Sequence, residues 1–67
     1  MKNSIKVERA KNDITQAKLA KLSQVSRQTI NAIELGKYVP SALLALRLAK
    51  IFDTSVEEIF QLEEGES

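Results

Sequence analysis

The most constraining feature of this chain is the stretch Thr15–Leu35, TQAKLAKLSQVSRQTINAIEL, in which two short amphipathic patterns follow one another. The first begins behind Thr15, whose hydroxyl can accept a hydrogen bond from a free amide at a helix start, and it lasts about two turns. The pattern breaks at Ser23 and Gln24, and Ser26 offers a cap for a second helix. The sequence therefore predicts two short helices joined by a tight turn.

The second of these helices has one apolar face and a polar N-terminal end. Ile30 and Ile33 lie three residues apart and share a face. Four polar side chains lie off that face or in the exposed first turn, namely Arg27, Gln28, Thr29 and Asn31. We expect the apolar pair to pack in the core, together with Leu19, Ala20 and Val25, and the polar side chains to face outward.

Taken in order, this motif resembles that of the phage-repressor-like helix-turn-helix regulators, the Cro and lambda-repressor type, also called Xre-like. The resemblance rests on Gln16, Leu19, Ala20, Val25, Ser26, Arg27, Gln28, Thr29, Ile30, Ile33, Glu34, Gly36 and Lys37. It covers nearly the whole chain and implies an all-α fold of five helices, to which a short terminal β pairing can be added. Two departures are Ser23, where the family commonly has an apolar residue, and Gln24, where it has glycine. Because glycine accepts a positive φ cheaply, Gln24 predicts a strained or reshaped turn.

The resemblance implies that the second helix of the motif enters DNA. A major groove accepts one α-helix, and side chains at the N-terminal end of that helix reach the base edges. Arg27 and Gln28 are the predicted base readers, since arginine can pair with guanine and glutamine with adenine. Asn31 could reach a base or a phosphate, whereas Ala32 could touch only a thymine methyl group.

A second set of residues is predicted to bind DNA phosphates, which sets register without carrying sequence information. By resemblance, Gln16 places its side chain and its helix N-terminal amides against a phosphate, although it could instead be an exposed helix-start residue. Thr29, Lys37 and Tyr38 would contact the other side, with free backbone amides beside the last two. For Tyr38, packing over its own loop is an equal and compatible alternative.

The first twelve residues suit a helix over Ile5–Lys11 with Asn3 or Ser4 as caps. The resemblance suggests instead a short strand for the first residues. It also implies that Arg9 pairs with Glu34 and touches a phosphate. A solvated surface arginine is the alternative.

The remaining chain predicts two more helices. Gly36 and Pro40 end the helix before them, Ser41 caps a fourth helix, and Ser55 with Glu58 forms a capping box for a short fifth one. Ile14 is expected to fill the core from a loop. We predict a single helix-turn-helix domain over residues 1–62 and an acidic disordered tail over residues 63–67.

The fourth helix carries more apolar side chains than one stripe can hold, and a single recognition helix covers few base pairs. We therefore predict a homodimer on a near-palindromic operator, with two reading helices about 34 Å apart. The candidate interface residues are Leu43, Ile59, Phe60 and Leu62. The same residues could instead close the monomer core.

Charge and composition favour some classes of function over others. Residues 1–50 hold all ten Lys and Arg residues against three acids, whereas residues 51–67 hold six acids and no base. A basic body suits a phosphate backbone, although an uneven solvated surface would look the same. The absence of Cys and His argues against an enzyme, a metal or another cofactor, and no apolar stretch is long enough to span a membrane.

These observations predict a cytoplasmic regulator, nucleoid-associated when bound to DNA, that acts as a repressor. The alternative is an antitoxin, which would bind a protein partner as well as its own operator. The apolar C-terminal segment and the acidic tail are the features that would serve such a partner.

Overall fold

The computed structural model describes residues 1–66 and has five helices and one short pair of strands. In chain order the elements are β1 (Lys2–Asn3), α1 (Ile5–Asn12), α2 (Gln16–Ser23), α3 (Arg27–Glu34), α4 (Ala42–Ile51), α5 (Val56–Ile59) and β2 (Phe60–Gln61). The strands pair antiparallel, with Lys2 opposite Gln61 and Asn3 opposite Phe60. The predicted five-helix class is confirmed, and so is the short strand at the start of the chain.

Four helices begin behind a hydroxyl residue, as the sequence predicts. The side chains of Thr15, Ser26, Ser41 and Ser55 each accept a hydrogen bond from the backbone amide three residues further along. These bonds satisfy amides that would otherwise lack a partner at each helix start. Because the acceptor and the donor are separated by only three residues, sequence alone locates these helix starts.

The start of α1 differs from the other four. The Ser4 hydroxyl donates to the Glu58 carbonyl at 3.0 Å and caps no helix, while the Asn3 side-chain oxygen accepts from the Ile5 amide at 3.3 Å. The Ser4 amide also donates to the Ile59 carbonyl at 2.8 Å. Of the two candidate caps, Asn3 thus accepts a local bond at the start of α1, whereas Ser4 joins the two ends of the chain.

The core lies where all five helices meet. Its buried members are Ile5, Leu19, Ala20, Ile30, Ile33, Leu44, Leu48, Ala49, Phe52, Ile59 and Phe60. Ile14 and Val25 are half-buried against this cluster, in agreement with their predicted packing. The buried residues of α2 and α3 thus belong to one cluster. Their packing in this cluster determines which face of α3 is exposed to solvent.

The turn between α2 and α3 keeps a regular geometry despite the two departures from the family pattern. Gln24 has φ 64° and ψ 39°, a left-handed conformation that glycine adopts at lower cost. The amides of Gln24 and Val25 donate to the carbonyls of Lys21 and Ala20, which is the Schellman pattern for ending a helix. The buried Ser23 hydroxyl donates to the Leu19 carbonyl at 2.7 Å, so its polar atom is satisfied inside the core.

The acidic end of the described chain lies beside its first residue. The Glu66 carboxylate accepts from the Met1 amino group at 2.9 Å and raises the pKa of that group, while Glu63 lies 4.0 Å from the same nitrogen. Exposed pairs of this kind contribute little to stability. The disorder expected of residues 63–67 stays a prediction, and Ser67 lies outside the described residues.

Within residues 1–66, no helix combines the length and the apolar character needed to cross a membrane.

Candidate nucleic-acid interface

The first turn of α3 is the most open part of the helix pair. Arg27 and Gln28 are exposed, and across residues 1–66 neither side chain makes a hydrogen bond to another protein group. Thr29 is half-buried, and its hydroxyl lies 2.9 Å from that of Ser26 within the helix cap. The two predicted base readers therefore keep their hydrogen-bonding groups free, while Thr29 is already engaged.

The opposite end of α3 is held by an ion pair. Arg9 Nε donates to Glu34 Oε2 at 2.7 Å, and Arg9 Nη2 donates to Glu34 Oε1 at 3.1 Å. Arg9 Nη1 also donates to the Ile14 carbonyl at 3.1 Å. The exposed fractions of the two side chains are 16% for Arg9 and 8% for Glu34, so water screens the pair only partly. The Glu34 carboxylate raises the pKa of the Arg9 guanidinium, and the pair joins α1 to α3.

Gln16 links α2 to α3 through its side-chain amide. Its Nε2 donates to Asn31 Oδ1 at 3.1 Å and to Glu34 Oε1 at 3.2 Å. A carboxamide nitrogen has two N–H groups, and both are used here. In this conformation both donors of the Gln16 side chain are used within the protein, and its role at a phosphate stays a prediction. The backbone amides at the start of α2 can still face an anion.

The loop after α3 carries two of the predicted phosphate ligands. Gly36 adopts φ 76°, and the amides of Gly36 and Lys37 donate back to the carbonyls of Ile33 and Ala32 at 2.9 Å each. The Lys37 amide is therefore engaged within the protein, whereas the Lys37 and Tyr38 side chains are exposed. Both side chains therefore remain accessible to a phosphate group beside the loop.

The four predicted interface residues divide into two pairs. Ile59 and Phe60 are 0% and 8% exposed, and Phe60 is paired with Asn3 in the short sheet. They close the monomer core, which corrects their assignment to a dimer interface. Leu43 and Leu62 are 60% and 66% exposed, and so remain candidates.

Sequence reasoning missed one element of this surface. Leu46 is exposed and lies three residues after Leu43, so both leucines are on the outer face of α4. The run of apolar residues in α4 predicted that two faces of this helix are buried. It did not identify which leucines are exposed in the monomer. Nothing in the sequence pointed to the Gln16–Asn31 bond, which joins residues on different helices.

Two helices joined by residues 24–26, with the second exposing a polar first turn, define an Xre-like helix-turn-helix protein. A helix-turn-helix family model matches residues 5–59, and the chain belongs to that family.

Named relatives agree with this family over nearly the full length. The uncharacterized HTH-type transcriptional regulator MJ0272 of Methanocaldococcus jannaschii is 53% identical over 66 residues, covering 98% of this chain and 100% of that protein. The uncharacterized HTH-type transcriptional regulator YgzD of Bacillus subtilis is 50% identical over 64 residues, covering 96% and 97% of the two chains. A third such regulator, from Archaeoglobus fulgidus, is 46% identical over 66 residues, covering 98% and 93%.

Proposed function

We propose that this protein is a sequence-specific DNA-binding transcriptional regulator that represses by occupying a near-palindromic operator as a homodimer. One observation carries the proposal: α3 is buried and ion-paired at its C-terminal end, while Arg27 and Gln28 at its N-terminal end have no protein partner within residues 1–66. The names of the relatives, which describe transcriptional regulators, support the same function.

Base reading follows from the chemistry of these two exposed side chains. The Arg27 guanidinium can donate two hydrogen bonds to the O6 and N7 atoms of guanine, and the Gln28 carboxamide can pair with adenine. Each good contact of this kind discriminates against the wrong base by about 1–3 kcal/mol. Two such readers on one helix give a short half-site, which is why a second copy is part of the proposal.

Phosphate binding would fix the helix in the groove. Lys37 and Tyr38 are exposed just beyond the C-terminal end of α3, and the free amides at the start of α2, where Gln16 lies, could bind an anion. Thr29 and Arg9 complete the proposed set, with Arg9 held in place by Glu34. These contacts contribute affinity and register, while base preference comes from Arg27, Gln28 and Asn31 on the exposed side of α3.

The homodimer is proposed on the exposed leucines of α4 and the C-terminal segment. Leu43, Leu46 and Leu62 each expose more than half of their surface, which is unfavourable for a monomer of this size. The proposed dimer would have to set its two copies of α3 about 34 Å apart, so that they enter successive turns of the major groove. Such a complex would keep RNA polymerase from an overlapping promoter.

The decisive test of the DNA reading is an unbiased selection of bound oligonucleotides, followed by binding measurements on two variants. Arg27→Ala should relax the preference at specific base positions, because it removes a base contact. Lys37→Ala should weaken all sequences alike and lower the slope of log K against log salt by about one, because it removes a phosphate contact. If both variants bind random and selected DNA just as the parent does, the reading face is elsewhere.

The dimer is tested by sedimentation over a concentration series without DNA. The parent should show a monomer–dimer equilibrium that Leu43→Ser shifts toward monomer, and Val7→Ser serves as the matched control because Val7 is an exposed apolar residue on α1. Only monomer at high micromolar concentration would exclude a preformed dimer. A stoichiometric second protein recovered with the chain from native extract would favour the antitoxin alternative, in which these leucines bind a partner.

A further inference from the structure

The Glu34 carboxylate fixes the orientation of the Gln16 amide. Its Oε2 accepts from Arg9 Nε at 2.7 Å, and its Oε1 accepts from Arg9 Nη2 at 3.1 Å and from Gln16 Nε2 at 3.2 Å. An ionised carboxylate accepts hydrogen bonds and donates none. Gln16 must therefore turn its NH2 group, and not its oxygen, toward Glu34.

The Gln16 amide in turn fixes the orientation of Asn31. The second N–H of Gln16 Nε2 donates to Asn31 Oδ1 at 3.1 Å, so the Asn31 oxygen must face α2. The Asn31 NH2 group is consequently directed away from Gln16. In the described part of the chain this NH2 group donates to no protein atom, and Asn31 is exposed.

We propose that Glu34, acting through Gln16, sets the direction in which Asn31 presents its NH2 group to DNA, so that Gln16 and Glu34 are positioning residues for base preference. The inference rests on the proposed function, because it needs Asn31 to lie against a base edge. Asn31 then donates to a base acceptor in the major groove, such as guanine N7 or O6 or thymine O4.

Orientation matters because a carboxamide has a donor end and an acceptor end of nearly the same shape. A free side chain would lose rotamer entropy on binding and could turn either end toward the base. An Asn31 amide that Gln16 already holds loses less rotamer entropy on binding, and it presents only its donor end to the base. Gln28 has no such support among the described residues, so its base preference depends on DNA contacts alone.

The orientation of Asn31 is tested first in the free protein by NMR. In the parent, the side-chain amide resonances of Asn31 should change on Gln16→Ala and on the nearly isosteric Glu34→Gln, which supplies a donor where the carboxylate only accepts. Gln61→Ala is the matched control, because the Gln61 amide donates only to carbonyls of its own segment. Asn31 resonances that do not respond to Gln16→Ala would overturn the inference without any reference to DNA.

The effect on base preference is tested by replacing each base pair of a selected operator in turn. Asn31→Ala should reduce the preference at one base pair by roughly five- to a hundredfold, and Gln16→Ala should reduce preference at that same base pair. The double variant should lose no more there than Asn31→Ala alone, because both changes remove one coupled contact. A purely structural role for Gln16 would instead weaken all sequences alike.

Two further outcomes are distinguishable. If Asn31→Ala weakens every sequence equally, Asn31 binds a phosphate and the inference is wrong, while the proposed regulator stands on Arg27 and Gln28. If the parent itself selects no preferred sequence, the proposed function fails together with the base-reading role, even where NMR shows that Gln16 orients Asn31.

Discussion

The two ends of α3 have opposite relationships to the rest of the molecule. At the C-terminal end, Ile33 is buried and Glu34 is bound by Arg9 and Gln16, so each side chain has partners from other elements. At the N-terminal end, Arg27 and Gln28 are exposed and lack side-chain hydrogen bonds within residues 1–66. In this helix of eight residues, the side chains that anchor it to the protein thus lie at one end, and exposed side chains that could bind a partner lie at the other.

This difference implies that recognition by Arg27 and Gln28 can change without a change in stability. Substitutions of the buried or ion-paired residues at the C-terminal end should alter the free energy of unfolding, whereas substitutions of Arg27 and Gln28 in the first turn should alter binding and leave that free energy nearly unchanged. A family of proteins could therefore vary its first-turn residues without losing the fold. The following variants test that separation, from the largest expected change in stability to the smallest.

Ile33→Ala should have the largest effect on stability, because it removes a fully buried side chain from the core cluster to which α2 and α3 contribute. The expected loss in the free energy of unfolding is about 2–5 kcal/mol, from lost burial and from the cavity left behind. Chemical denaturation followed by circular dichroism measures it. A loss below about 0.5 kcal/mol, typical of surface positions, would mean that α3 is not anchored here.

Arg9→Ala should have an intermediate effect. It leaves the Glu34 carboxylate, whose side chain is 8% exposed, with Gln16 as its remaining side-chain donor, and we expect a loss of about 1–3 kcal/mol. A double-mutant cycle with Glu34→Ala should give a coupling energy of comparable size. Lys11→Ala is the matched control, since its pair with Glu8 is local and exposed on the lysine side, and it should change stability by less than about 0.5 kcal/mol. Equal losses for Arg9→Ala and Lys11→Ala would contradict the distinction.

Arg27→Ala should have the smallest effect on folding, within about 0.5 kcal/mol, because the side chain has no protein partner in the described residues. Removing a positive charge from a helix N-terminus could even stabilise α3 slightly, since the helix dipole disfavours a cation there. Thermal unfolding of the parent and the variant measures the difference. A clear destabilisation would show that the first turn of α3 contributes to the fold as well as to recognition.

Several features of the site were predictable because they depend on neighbours in the chain. The caps at Thr15 and Ser26 bond to amides three residues away, so they located α2 and α3 from sequence. The cost of a left-handed residue at Gln24 was also foreseeable, since backbone sterics are local. Family resemblance supplied the pairing of Arg9 with Glu34, which sequence spacing alone does not give.

Other features depended on contacts between distant parts of the chain. The Gln16 amide was expected to face a phosphate, but its two N–H groups are used by Asn31 and Glu34 on the neighbouring helix. Ile59 and Phe60 looked equally suited to a dimer interface and to the core, because the sequence shows that a residue is apolar but not which residues will cover it.

The sequence by itself determined where α2 to α5 begin, which face of α3 is apolar, and that its first turn is polar, because caps and helical periodicity act over three or four residues. Only the tertiary structure decided that Ser4 joins the chain ends, that β1 and β2 bury Phe60, and that Gln16 orients Asn31. These outcomes depend on distances between elements far apart in the chain. Such distances are set by how the whole core packs, and no local pattern specifies them.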